Sequence, residues 1–183
     1  MLSNNTLVTG VGSGLGRFLH KNINYSHGLH RGNLNSVLSI PYVDTIIHCA
    51  FDAKKEITDH YQYFNDNLYL TKQLLKIPHT KFIYVSTIDI YRNEQSNYKT
   101  FKLMAESIVQ NESKNYLIAR CSAMLGKGMR KNTLVKIADK SLTQTGLSDE
   151  STFNYITYQD IHTFFKNSIV NDVTGVYNAV SNT

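Results

Sequence analysis

The run Val8-Thr9-Gly10-Val11-Gly12-Ser13-Gly14-Leu15-Gly16-Arg17 constrains this chain more than any other. Asn4 to Val8 reads as a short strand. Leu15, Phe18, Leu19 and Ile23 repeat at the spacing of a helix's apolar face, so the glycines fall where a strand turns into a helix. Glycine permits the tight, positive-φ turn that such a junction needs and keeps Cβ atoms away from an approaching ligand. The free N–H groups of the following helix then face that ligand and favour an anion such as a pyrophosphate. On this reading Gly10, Ser13, Gly14, Leu15 and Gly16 line a phosphate site. The spacing is TGxxxGxG, with Leu15 in the third glycine position of the plainer GxGxxG. A glycine-rich turn that binds nothing would carry the same letters, so the context downstream matters.

Downstream, strand and helix signals alternate. Ser26 to Gly32 is a poor strand. In a dinucleotide-binding unit an acid ending the second strand hydrogen-bonds the adenosine ribose, whereas an arginine accommodates a 2′-phosphate. No acid stands here and Arg31 does, which tilts the cofactor slightly toward NADP over NAD; an exposed loop arginine would read the same. Little room is left for a full helix and a third strand before the next strand, Val43 to Ala50, so this part of the fold must be abbreviated. Asn65 to Ile77 predicts a helix, ended by Pro78. Lys81 to Thr87 is a near-continuous apolar run, as expected for a parallel strand covered on both faces. A helix over Tyr98 to Asn111, a strand over Asn115 to Leu125 and a basic loop, Gly126 to Asn132, follow. The remaining predicted elements are helix Thr133 to Leu142, strand Phe153 to Thr157, helix Gln159 to Val170 and strand Gly175 to Ala179. This order predicts an α/β fold built on a doubly wound parallel sheet of the Rossmann kind.

With 183 residues the chain is long enough for one domain with a proper core and too short for two comfortable ones, so a single domain over 1–183 is expected. Its net charge of +5 suits an anionic small ligand, and the absence of a long basic run argues against nucleic acid. Cys49 and Cys121 each end an apolar run and read as reduced core residues. No signal-peptide layout and no membrane-length apolar stretch is present, which points to a cytoplasmic protein with no membrane partner. No metal is expected.

Tyr98 and Lys102, four residues apart on a predicted helix, project from one face a turn apart. A phenol with a pKa of about 10 is a poor base at neutral pH, and a neighbouring ammonium stabilises its phenolate. The pair is therefore a candidate general acid/base for a hydroxyl or carbonyl oxygen. Thr87, at the carboxyl end of the central strand, falls where open α/β sheets bind ligands and can orient that oxygen. A Tyr-x-x-x-Lys by itself is weak evidence among 12 tyrosines; its place after the glycine turn and the Ser-Thr strand gives it weight.

Taken together, these motifs resemble the extended short-chain dehydrogenase/reductases, the NAD-dependent epimerase/dehydratase family, over nearly the whole chain. Ile46-Ile47-His48-Cys49-Ala50 resembles that family's "ViHlAa" strand, whose end lines the cofactor, which implies cofactor contacts for Cys49, Ala50 and Phe51. Asn67-Leu68-Tyr69-Leu70-Thr71 resembles "NvxGT", with Asn67 as the asparagine supporting the active site. Tyr84 to Tyr91 resembles "ySSxxvYG", with Thr87 at the catalytic Ser/Thr, and Tyr98 to Glu106 resembles "YxxsKxxxE". Leu117 to Gly128 resembles "ilRxxnvyGpg", and Tyr155 to Ile161 resembles "fvhVdDva". The resemblance implies hydride transfer between a substrate carbon and a nicotinamide. Tyr98 would move the proton, Lys102 would lower its pKa and hold the nicotinamide ribose, and Thr87 would fix the substrate oxygen. It also implies a homodimer formed through the helices beginning near Asn65 and Tyr98.

Departures from the family pattern narrow the reading. Ile88-Asp89 replaces the Asp-Glu pair of sugar dehydratases, and Ala123 replaces an asparagine that touches the substrate in many nucleotide-sugar epimerases. The substrate-side segment, 126–152, is a reduced C-terminal lobe, although Lys127, Arg130 and Lys131 can grip a substrate phosphate. The expectation is an NAD(P)-dependent oxidoreductase or epimerase acting on a hydroxyl or keto group of a sugar-like, anionic substrate, such as a nucleotide sugar in surface-polysaccharide synthesis. A non-catalytic dinucleotide-binding sensor or partner module of the same fold is the alternative.

Overall fold

Neighbouring parallel strands need a crossover between them, and this chain supplies one repeatedly. The computed structural model describes residues 5–33, 39–53, 57–141, 150 and 152–181. The elements are β1 (Thr6–Thr9), α1 (Gly14–Asn22), β2 (His27–Leu29), β3 (Val43–His48), α2 (His60–Phe64), a π-helical turn (Asn65–Tyr69), α3 (Leu70–Leu75), β4 (His79–Thr87), α4 (Asn97–Glu112), β5 (Tyr116–Cys121), β6 (Ala123–Leu125), α5 (Thr133–Ala138), β7 (Tyr155–Thr157), α6 (Tyr158–Val170) and β8 (Gly175–Ala179). Six strands form one sheet in the order β2-β1-β3-β4-β5-β8, every pair parallel, while β6 and β7 pair separately. No helix among the described residues is long and apolar enough to cross a membrane.

The doubly wound α/β fold expected from the alternating pattern is the one observed. Strand β4 is why its sequence run is apolar without alternation: Phe82 and Tyr84 pack on one side of the sheet, Ile83 and Val85 on the other. The first side is covered by Leu68 and Leu74 and by Ala105 and Val109 of α4. The second is covered by Leu15 and Leu19 of α1 and by Ile161 and Phe165 of α6. The chain goes from β2 back across β1 to β3, so the direction of winding reverses between β1 and β3. Ligands bind such sheets at the carboxyl ends of the strands flanking this reversal. A 3₁₀ turn at Arg31–Asn33 follows β2, and residues 34–38, on which the expectation of an abbreviated crossover falls, lie outside the described residues.

Four expectations need correction. The first strand runs Thr6–Thr9 rather than Asn4 to Val8, Asn4 lying outside the described residues. The helix expected from Asn65 starts at His60, where Asp59 caps it by accepting from the Gln62 N–H at 2.9 Å. It also carries the π turn, which apolar spacing does not reveal. The strand expected over Asn115 to Leu125 is two: at Ser122 the backbone N–H donates to Ala179 O, after which β6 leaves the main sheet to pair with β7. The helix expected over Thr133 to Leu142 is described over Thr133–Ala138, and residues 142–149 and 151 lie outside the description.

Because Phe82 is fully buried beneath α4, Phe82→Ala is expected to lower the unfolding free energy by about 3–5 kcal/mol in urea titrations, against about 0.5–1.5 kcal/mol for Ile83→Val.

Candidate active site

The glycine turn closes against the end of β3. Gly10 takes a φ of +73°, and a Cβ there would lie 3.0 Å from the Ala50 nitrogen; a Cβ on Gly16 would lie 2.5 Å from Gly10 O. Larger residues would push the first helix off the turn and the turn off the wall. Ser13 precedes α1 without a side-chain cap bond, and no acid sits in the helix's first turn. The opening N–H groups of α1 are thus left for an anion. This turn forms one end of an open cleft of about 1720 Å³ above the carboxyl ends of the strands.

Gly10, Ser13, Gly14, Leu15, Gly16, Cys49, Ala50, Phe51, Thr87, Tyr98, Lys102 and Arg130 all line this cleft. Two of the expected residues, Asn67 and Lys127, do not. Asn67 is buried behind the wall, where its side chain accepts from the Asp52 N–H at 2.7 Å and donates to Asp52 O at 3.2 Å. Lys127 is exposed and outside the lining, whereas Lys131 and Lys136 contribute to it. Arg31 opens the 3₁₀ turn after β2, and its side chain lies outside the described residues.

Helix α4 places Tyr98 and Lys102 one turn apart, with Lys102 Nζ 6.0 Å from the Tyr98 ring centroid. Thr87 ends β4 beside the Tyr98 phenol, near enough for its hydroxyl to favour the phenolate. Lys102 is 4% exposed and donates from Nζ to Val85 O at 2.8 Å. Around its ammonium stand the rings of Phe51, at 4.1 Å, and Tyr84, at 4.8 Å. Burial dominates both ionisations. It pulls Lys102 down to about 7 and pushes Tyr98 up to about 12, despite the opposing pull of Thr87 on the phenol. The resting pair therefore holds a protonated phenol next to an amine poised between its two states. For the phenol, burial is the largest influence and outweighs the Thr87 hydrogen bond.

A buried strut fixes α4 one turn further along the same face. Glu106, one turn beyond Lys102, accepts from Arg120 Nη2 at 2.7 Å and from the Ser86 hydroxyl, tying the helix to β4 and β5. Arg120 also donates to Tyr91 Oη at 2.8 Å, and Tyr91 in turn to Asn178 Oδ1 at 3.0 Å. Across the cleft, Arg130 Nη2 donates to Phe51 O at 3.1 Å. Cys49 and Cys121 are free thiols, both raised by burial. The strut, the Arg130 bridge, and the partners of His48 described below were not read from the sequence. The motifs include Glu106, Arg120 and His48, but do not say which groups each of them bonds.

Fold and site together define a Rossmann-like α/β architecture with a polar, tyrosine- and lysine-bearing cleft at its switch point, and solved structures share that fold. dTDP-4-dehydrorhamnose reductase from Clostridium acetobutylicum matches over 97% of this chain and 74% of its own, with a TM-score of 0.77 and 18% identity. The same enzyme from Bacillus anthracis, in complex with NADP, matches over 97% and 74%, with a TM-score of 0.79 and 16% identity. UDP-glucuronic acid 4-epimerase from Bacillus cereus, in complex with NAD, matches over 97% and 78%, with a TM-score of 0.76 and 18% identity. No family model and no curated protein matches the sequence. At such identities the shared property is the fold.

The Lys102 environment has a measurable consequence. Its folded pKa lies below its ordinary 10.5, so from about pH 7 upward the unfolded chain holds more protons and stability rises with pH. From about pH 9 the raised thiols, and then Tyr98, act with the opposite sign. Urea unfolding between about pH 7 and 9 should show stability increasing by up to about 1.4 kcal/mol per pH unit, and Lys102→Met should flatten that rise.

Proposed function

We propose that the protein is an NAD(P)-dependent oxidoreductase or epimerase acting on a hydroxyl or keto group of a sugar-like, anionic substrate. The observation that carries this reading is the convergence of Thr87, Tyr98 and Lys102 on the same cleft that the glycine turn lines. The fold shared with sugar reductases and epimerases whose structures hold NADP or NAD supports it. The residues present fit a dinucleotide: the turn lines the cleft, a Cβ on its Gly12 would meet no protein atom within 4 Å, and the first N–H groups of α1 suit a pyrophosphate. The cleft exceeds the roughly 300–1000 Å³ usual for one small ligand, leaving room for a second. The absence of an acid after β2 keeps the tilt toward NADP.

When bound, the nicotinamide supplies the hydride donor or acceptor. Tyr98 holds the proton exchanged at the substrate oxygen, and Thr87 orients that oxygen. Lys102 stabilises the phenolate as negative charge develops on Tyr98. Burial keeps the phenol protonated, ready to donate to a keto oxygen. Arg130, Lys131 and Lys136 give the substrate end of the cleft a positive lining. Burial behind the wall makes Asn67 a support for that wall, and exposure makes Lys127 a peripheral contact at most. The single-domain reading with a reduced lobe in 126–152 accommodates the coverage of about three quarters of each neighbour.

Titration with NADPH and NADH, followed by a turnover screen of keto sugars and their nucleotide conjugates, tests the proposal. Tyr98→Phe is expected to lower kcat by at least about 10²-fold while the dinucleotide Kd changes little. Dinucleotide binding with no turnover on any substrate would instead favour the non-catalytic sensor, and no binding at all would remove both readings. A homodimer is proposed through the helices beginning near Asn65 and Tyr98, the second of which exposes Leu103 and Met104; light scattering should return twice the 20.8 kDa chain mass.

A further inference from the structure

Phe51 lies past the end of β3, in a stretch with no ladder of its own, yet its ring is the nearest aromatic face to the Lys102 ammonium, at 4.1 Å. It also meets Tyr98 edge-on, with centroids 5.3 Å apart. Its backbone is held from both sides by side chains belonging to other elements. On one side the Ala50 N–H donates to Thr9 Oγ1 at 2.9 Å. On the other, Asn67 clamps both the N–H and the carbonyl of Asp52.

These two anchors are connected through His48. Thr9 Oγ1 lies 2.8 Å from His48 Nδ1, and His48 Nε2 lies 3.0 Å from Thr71 Oγ1. Thr71 Oγ1 donates to Asn67 O at 2.8 Å. Elementary accounting of donors settles every direction. The Thr71 proton is committed to a carbonyl, which only accepts, so His48 Nε2 must carry the proton donated to Thr71. In a neutral ring Nδ1 is then the acceptor, and it receives the Thr9 hydroxyl proton, while the other side of that hydroxyl takes the Ala50 N–H. The bonds run from the Ala50 N–H to the Asn67 carbonyl, and the Asn67 side chain holds Asp52, so the anchors lie on either side of Phe51. All three linking residues, Thr9, His48 and Thr71, are 1% exposed or less. Burial first, then the Lys102 cation, pulls His48 down to about 3, which keeps the imidazole neutral.

We propose that His48, acting through Thr9 and Thr71, is a positioning residue for the Tyr98–Lys102 pair: its single tautomer completes a one-directional hydrogen-bond run from the Ala50 N–H to the Asn67 carbonyl that fixes Phe51 against Lys102 Nζ. The inference rests on the reading of Tyr98 and Lys102 as the reacting pair. An ordinary buried histidine needs only to have its two nitrogens satisfied. Here the two partners belong to the two anchors of one functional segment. Phe51, which stands in place of the second alanine of the motif it resembles, is thereby a shaping element of the site as well as a cofactor wall.

Competitive acetylation of the lysines by limiting acetic anhydride, read residue by residue by mass spectrometry, tests the hydrogen-bond run without any dinucleotide or substrate. Thr71→Val, which keeps the shape and removes the hydroxyl, and His48→Leu are each expected to raise the Lys102 rate roughly three- to tenfold, the factor corresponding to the net loss of a buried hydrogen bond. Phe51→Leu should raise it similarly, whereas Ile83→Val, a core change away from the run, should leave it unchanged. Nitrogen-15 spectra should show His48 as the Nε2–H tautomer, with the signal lost in His48→Leu. Where turnover is measurable, the Thr71 and His48 variants should lose kcat with little change in KM. An unchanged Lys102 rate in both of these variants, a rise matched by Ile83→Val, or an Nδ1–H tautomer would each overturn the proposal. Failure of NADPH to protect Lys102 in the wild-type chain would count against the dinucleotide reading alone, leaving the run judged by the other measurements.

Discussion

Two backbones approaching each other at the switch point of the sheet set the terms for the rest of the site. Gly10 presses on Ala50, and Gly16 presses on Gly10, with no room for a side chain at either contact. This brings the anion-ready end of α1 beside the loop leaving β3, and so joins the phosphate end of the cleft to its chemical end. The parallel sheet makes the approach possible because β1 and β3 are neighbours whose connections leave in opposite directions. Without that contact the glycine turn and the Tyr98–Lys102 pair would be two unrelated features.

At the chemical end, desolvation is the governing effect. The helix carrying Tyr98 and Lys102 is drawn onto the sheet by Ala105 and Val109 and pinned by the Glu106–Arg120 pair. Bringing the lysine in with it costs part of its charge and leaves the phenol protonated. A buried ion pair such as Glu106–Arg120 is a weak source of net stability, because its desolvation offsets its attraction. Its evident consequence here is geometric: it fixes the rotation of α4 one turn from the reacting pair. Polar groups buried in the wall follow the same logic, since each Thr9–His48–Thr71 contact satisfies a group that would otherwise be stranded away from water.

Much of this organisation was legible in the letters. The unbroken apolar run of β4 announced a strand covered on both faces, and Pro78 marked the end of a helix. Thr87, Tyr98 and Lys102 were legible because each lies at a position that local periodicity can place: a strand's end and one face of a helix. Less legible were the π turn at Asn65–Tyr69, the break at Ser122 and the exclusion of Lys127 from the cleft. The break is invisible because Met124 and Leu125 continue the apolar pattern while the backbone changes partners. The π turn is invisible because a single widened turn scarcely alters apolar spacing.

Local pattern by itself therefore determined the alternation of strands and helices, the glycine turn with its open helix end, and the candidate proton-transfer pair. Those features depend on φ/ψ preference and side-chain period, which operate over a few residues. Tertiary structure alone decided the protonation balance of that pair, the commitment of Arg130 to Phe51 O, and the hydrogen-bond run through His48. These are settled by burial and by partners far apart in the chain, 79 residues for Arg130 and Phe51 and 39 for Thr9 and His48. A hydrogen bond depends on distance in space, and no short-range pattern encodes which distant groups the folded sheet will bring within reach.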